Sequence, residues 1–483
     1  MTTLLFFDDW WLESRHNILR KMGRPQAIPE ATLLDDLTKG IYNFPTVYRD
    51  PSTKKWYAFY QGVVGATEEL ATVPADVPVL MLAESDDGLH WTKPDLTPVL
   101  DQPLRLAPNQ VLKHDDIYDR GPVFYDPHPP DERQRLKAMS LYESTGADGK
   151  RVFTQRLTHS PDGIHWSVED RVWNNHFCSD SPYPIFWNEG RGLYSIMTRP
   201  QQAERRIVRI DTEDFLEFSG PHNVLSPDPL DPPLVQFYGM PTFPYEGMFV
   251  GLLWLMYGDP LEIGLLKRNG PIDSQLTYSY DGAAFNRSFR TPFVERNPRG
   301  EEGGGCIYPT SMVTDDNGDI LIYSGSSHSE HYKDIDQLDA ALLVHKLRCD
   351  GFMYLESVSQ TGRLMTRCLH LSDPLELKLN ARAPNGWVRV QLSDVDGRPL
   401  PGYTFDECQA FRGDDYFWEP MWNGATEPPN EAVGRIEVEL TNAELFAVRG
   451  NFEWLSMPHT RNFRPDENQA DAVEAWRKAG LGQ

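Results

Sequence analysis

At 483 residues the chain is too long for one core of ordinary size, so two domains are expected. Its formal net charge, 46 − 71 = −25, argues against nucleic acid, whose phosphates call for positive charge. It also argues against polyanionic substrates, unless a local basic pocket overrides the sum. Aromatics at 12%, with 39 Pro and 36 Gly, favour short strands and tight turns, and hence an all-β fold. Aromatic faces also suit the C–H faces of sugar rings.

Residues 1–11 show no basic segment followed by an apolar run, so no signal peptide is read and a cytoplasmic location is expected. The longest apolar stretch, GMFVGLLWLMYG at 247–258, is shorter than the ~20 residues a membrane span needs. No membrane partner is expected. The cysteines, Cys178, Cys306, Cys349, Cys368 and Cys408, are scattered and odd in number. They suggest neither a disulfide framework nor a zinc site, and no metal or other cofactor is expected.

Two markers repeat along the first three quarters of the chain. The first is a turn of the form Ser-x-Asp-Gly-x-x-aromatic: SDDGLHW (85–91), SPDGIHW (160–166), SYDGAAF (279–285), and the degenerate copies TEDFLEF (212–218) and RCDGFMY (348–354). Gly accepts positive φ, Asp bonds nearby amides, and the aromatic four residues on pins the next strand, so the motif reads as structural. The second is a Pro opening an apolar strand, followed by a turn and another apolar strand, at Pro45, Pro122, Pro184, Pro241 and Pro309. From each Pro to the following turn Asp the interval is 42, 40, 30, 40 and 41 residues. Markers that interleave in this way predict a five-bladed β-propeller over residues 1–368. Beyond it, LELKL (375–379), VRVQL (388–392) and IEVEL (436–440) alternate with period two. They predict a β-sandwich over 369–455, followed by a C-terminal extension, 456–483, that holds a short helix candidate.

The segments HNI (16–18), DRGPVFYDP (119–127), QFYGMPTFPYEG (236–247) and LSDVDGRPLPG (392–402) resemble the glycoside hydrolases of families 32, 43 and 68, and more closely the family-32-like bacterial proteins of unknown specificity. The resemblance runs from about His16 to Phe446. It implies a five-bladed propeller with an appended sandwich and cleavage of a glycosidic bond, on a furanoside or another small glycoside. The chain departs from the family-32 pattern at YNFP (42–45), where that family carries its nucleophilic Asp. Asp50, in Arg-Asp-Pro, falls at the far end of the first strand, whereas the clan's Arg-Asp-Pro belongs to the second blade.

In a propeller the innermost strands converge on a central funnel, and the residues just before each Pro face it. Those positions hold Tyr42, Asp119, Asp180, Tyr238 and Cys306. Glycosidases need two carboxylates there. Asp119 is the first candidate for base or nucleophile; Asp180 is the second, a like charge placed to tune the acid's pKa. Glu302, before a run of three glycines, is the candidate general acid from another blade. Asn43, Asp116, Arg120, Arg199, Tyr238, His328 and His331 are candidate substrate-binding residues. The spacing of three between the two histidines also admits a metal, but with no Cys or second cluster at fixed spacing, sugar hydrogen bonding or a plain loop explains it better. Tyr238 and Glu246, eight residues apart, form a candidate Tyr–Glu pair of the sialidase kind. A polysaccharide lyase would instead rely on Tyr238, His331 and Arg199. The same scaffold would also serve a glycoside phosphorylase or a non-catalytic carbohydrate-binding propeller. The expected partner is a carbohydrate, and a homo-oligomer is compatible with the sequence.

Overall fold

In the computed structural model the residues described are 1–33, 41–64, 77–100, 107–113, 117–146, 149, 151–170, 182–200, 205–258, 270–331, 340–372, 374–423 and 433–455. At 41–43, 63–64, 77–78, 113, 117–120, 143–144 and 151–153 only the backbone is described. The described chain is all-β, with short 3₁₀ turns and no α-helix. Among these residues no helix is long and apolar enough to cross a membrane. The chain divides into two units, Gly23–Cys349 and a second made of Met1–Met22 with Asp350–Gln483.

The larger unit is a succession of antiparallel meanders. The first sheet holds Ile41–Arg49, Trp56–Val64, Val77–Ser85 and Gln110–Lys113. The second places Ile117–Arg120 and Phe124–Tyr125 on Leu136–Thr145, followed by Arg151–Ser160 and Ser167–Val168. The third runs Ile185–Asn188, Leu193–Thr198, Ile207–Thr212 and His222–Leu225. The fourth is an eight-stranded sheet in which two meanders meet at one parallel pair, Ile272 with Cys306. Its last strand, Leu342–Leu347, pairs with Gln26–Ala27 from the start of the unit.

The cores show why these sheets stay together. Phe59 and Leu80 of the first sheet pack with Leu136 and Ala138 of the second. Met139 and Leu157 pack with Ile185 and Tyr194 of the third. Phe186 and Met197 pack with Phe237 and Leu253 of the fourth. Leu321 and Tyr323 then pack back on Val47 and Trp56 of the first. Each buried side chain contributes about 1.5–3 kcal/mol, so every seam is a small hydrophobic core.

The Asp-Gly turns serve these seams. Oδ1 of Asp87 accepts the amides of Leu89 and His90 at 2.8 Å each, and Oδ1 of Asp162 accepts those of Ile164 and His165 at 2.9 and 2.8 Å. Burial pushes both carboxyls up, but the amides and imidazoles of His90 and His165 outweigh it and hold them below the usual range. The glycine that follows has a second duty. A Cβ on Gly88, at φ +76°, would lie 2.5 Å from Tyr323 Oη, and one on Gly163, at φ +79°, 2.7 Å from Phe59. In both cases the turn docks on an aromatic of the neighbouring sheet.

The copy at Asp350 is different. Its carboxylate is fully buried and receives Arg449 and, at 2.9 Å, the Asn380 amide. It anchors the smaller unit and is not the fifth blade turn that the motif predicted.

That smaller unit is built on one eleven-stranded sheet. Two of the expected period-two stretches fall in a single strand, Leu377–Ser393, whose register shifts between Ala383 and Val388. Pro384 sits within that irregularity, where the lost amide costs no ladder bond. Thr2–Leu5, Leu12–His16 and Leu19–Met22 pair with Ala443–Gly450, Gly362–Thr366 and Met353–Ser357. The division expected at 368/369 therefore falls at 349/350, and the first 22 residues join the C-terminal sheet. Period-two patterning marks a strand but carries no information about its partner. The extension 456–483 lies outside the described residues.

One buried group gives the larger unit a pH dependence. His345, 4% exposed, has its imidazole pushed down to about 4 by burial. The unfolded chain takes up that proton near pH 6.5 and the folded chain only near 4, so the contribution is complete above pH 6.5 and lost as pH falls to 4. The loss is about 3 kcal/mol. Denaturant titrations across this window are expected to show it in the wild type and not in His345→Leu.

Candidate active site

Of the positions before the inner-strand prolines, Tyr42, Asp119 and Tyr238 stand on edge strands. Asp119 and Arg120 lie on Ile117–Arg120, opposite Leu141 and Ser140. Asn43 lies on Ile41–Arg49, and Tyr238 on Val235–Gly239. Side chains are described for Tyr238 but not for Asn43, Asp119 or Arg120, and Asp116 and Asp180 lie outside the described residues.

Two clusters are visible at these strand ends. In the first, Tyr238 Oη is 2.8 Å from His331 Nε2, and the two rings meet edge to face at 4.9 Å. The guanidinium of Arg199 lies over the Tyr238 ring at 4.4 Å and that of Arg205 at 5.4 Å. Arg199 is 1% exposed, so it holds the phenol ring in place more than it reaches toward solvent. Beneath the cluster, Trp254 packs on Tyr308 at 5.4 Å and stacks on Phe44 at 5.2 Å. Cys306, fully buried here, has its thiol pushed up by burial and is no nucleophile.

In the second cluster, His328 Nε2 lies 2.8 Å from Glu302 Oε1, close enough for an ion pair but off the line of a good hydrogen bond. Oε2 of Glu302 is closed off and has no hydrogen-bond partner among the described residues, while a third of the side chain is open to solvent. Residues 303–305 fix this carboxyl. A Cβ on Gly305 would sit 2.1 Å from the Ser329 carbonyl, and one on Gly304 2.4 Å from that of Pro298. The close approach these glycines allow is therefore to the protein's own backbone. Asn297 Nδ2 donates to the Glu302 carbonyl at 2.7 Å, and Arg296 to that of Gly304 at 3.0 Å.

The structure thus brings Tyr238, His331 and Arg199 together, and Glu302 with His328. The two histidines turn to different partners, and among the described residues no group of three His, Cys, Asp or Glu is placed to hold a metal. Glu246 stands at φ +47° in the hairpin between Thr242–Tyr245 and Met248–Tyr257, and Tyr238 is bonded to His331. Asp50 accepts the amides of Ser52 and Thr53 at 2.8 Å each and is a turn residue. Arg205 was not singled out from the sequence; the Arg-Arg pair at 205–206 before a strand was its only signal. A cavity of about 880 Å³ lies elsewhere, lined by residues on the C-terminal side of the same prolines and by none of the ten candidate catalytic and substrate-binding residues.

No family model and no curated protein matches the chain. Among solved structures it is similar to a glycoside hydrolase, at 13% identity over 68% of this chain and 92% of that one, with a TM-score of 0.45. It is similar to the family-32 β-fructofuranosidase of Bombyx mori, at 11% identity over 88% and 94%, TM-score 0.43. A third, an N-acetylgalactosamine deacetylase from F. plautii, is 14% identical over 70% and 97%, TM-score 0.43. At such identities the chemistry must be argued from this chain's own side chains.

Proposed function

We propose that the chain is a carbohydrate-active enzyme that hydrolyses a glycosidic bond. In this reading the meanders of the larger unit are the five blades of a propeller, closed by Gln26–Ala27 on the last blade, and the smaller unit is a β-sandwich. Glu302 is the general acid, Asp119 the base or nucleophile, and Asp180 the carboxylate that tunes the site. The observation that carries the reading is Glu302: its loop is pinned by glycines, one carboxyl oxygen lies against His328, and a third of the side chain is exposed. A carboxyl fixed in this way is able to deliver a proton to a leaving oxygen.

A second reading, a lyase, is favoured by the Tyr238–His331 pair, since a phenol bonded to an imidazole can pass a proton from carbon to oxygen. Product analysis separates the two. Hydrolysis yields a new saturated reducing end, and Tyr238→Phe is expected to keep more than a tenth of the rate. An unsaturated product lost in Tyr238→Phe and His331→Ala would establish the lyase instead.

A further inference from the structure

The 880 Å³ cavity is of a size that binds small molecules. Its walls come from equivalent segments of the sheets, 46–49, 122–128, 184–191, 241–249 and 310–313. Three of the hydroxyls among them are engaged within the protein. Thr46 Oγ1 accepts the Val123 amide at 3.0 Å, Ser311 Oγ accepts the Val47 amide at 2.8 Å, and Thr310 Oγ1 donates to the Pro45 carbonyl. Pro122, Pro184 and Pro241 have no amide hydrogen to offer.

Three of its charged groups are engaged as well, and Glu189 and Glu246 complete the charged part of the lining. Arg49 is paired with Asp316 at 2.7 Å and Arg191 with Asp211 at 3.0 Å, and Asp281 is capped by the amides of Ala283 and Ala284. What the lining does offer is aromatic surface. Tyr48 stacks on Tyr125 at 5.0 Å, and Trp187, like both tyrosines, is only partly buried.

We propose that this cavity is a second binding site, separate from the Glu302 and Tyr238 clusters, and that it takes an uncharged planar aromatic ligand. Stacking against Trp187 and the tyrosine pair supplies the affinity. The probe is N-phenyl-1-naphthylamine, titrated into the full chain and followed by its emission. The expected result is saturable binding at one probe per chain, weakened at least tenfold by Trp187→Ala and by Met312→Glu, retained by Trp187→Phe, and not displaced by a neutral oligosaccharide such as maltohexaose. The variants are compared with wild type at matched thermal melting. Absence of saturable binding, binding unchanged in both Trp187→Ala and Met312→Glu, or displacement by maltohexaose would each overturn the proposal. None of these readouts depends on turnover, so the result is independent of the hydrolase reading.

Discussion

Glu302→Gln is expected to lower kcat by about 10²–10⁴ on substrates whose leaving oxygen needs a proton, the usual worth of a positioned general acid. The loss should shrink for aryl glycosides, whose phenolate leaves unaided. The amide keeps the shape of the carboxyl, and the loop is held by backbone contacts of residues 303–305 and by Asn297, so folding should be unaffected. The check is a plot of log kcat against leaving-group acidity, wild type beside variant. A steeper slope in the variant identifies the acid; a uniform drop identifies a merely structural residue.

The second large effect is on stability. Lys137 and Asp126 form an ion pair at 2.6 Å with both side chains fully buried. Burial pushes the Lys137 ammonium down, and the Asp126 carboxylate opposes that shift. Tyr194 Oη, from the third sheet, donates to the same carboxylate at 2.8 Å, so the network ties the second sheet to the third. Lys137→Met leaves the Asp126 charge buried with its main partner gone and is expected to cost about 3–5 kcal/mol, read from urea unfolding. Adding Asp126→Leu should restore part of that loss, because the pair as a whole is dear to desolvate. A single variant within about 1 kcal/mol of wild type, no more than an average point substitution costs, would mean that the carboxylate finds another partner.

The features legible in the sequence were the local ones. An Asp-Gly turn is specified within seven residues, so the turns at Asp87, Asp162 and Asp281 could be placed, and Thr212 stands in for the serine in the copy at Asp214. Strand partners were not legible. Nothing in Gln26–Ala27 says that it pairs with His345 and Lys346, and nothing in Leu12–His16 says that it pairs with Arg363 to Thr366. The same limit holds at the site. Tyr238 and His331 are 93 residues apart, and only the fold puts them in contact. The glycines after Glu302 were visible, but their reason was not. They let two backbone segments touch.

The central claim is glycoside hydrolysis by carboxylates at the strand ends that carry Asp119 and Glu302. Its most direct test is turnover of a panel of aryl furanosides and pyranosides by wild type, Asp119→Asn and Glu302→Gln. The account predicts that at least one glycoside is cleaved. Asp119→Asn should lose about a hundredfold or more, and Glu302→Gln should lose most where the leaving group is poorest. No cleavage of any member, or cleavage that survives both substitutions, would contradict it.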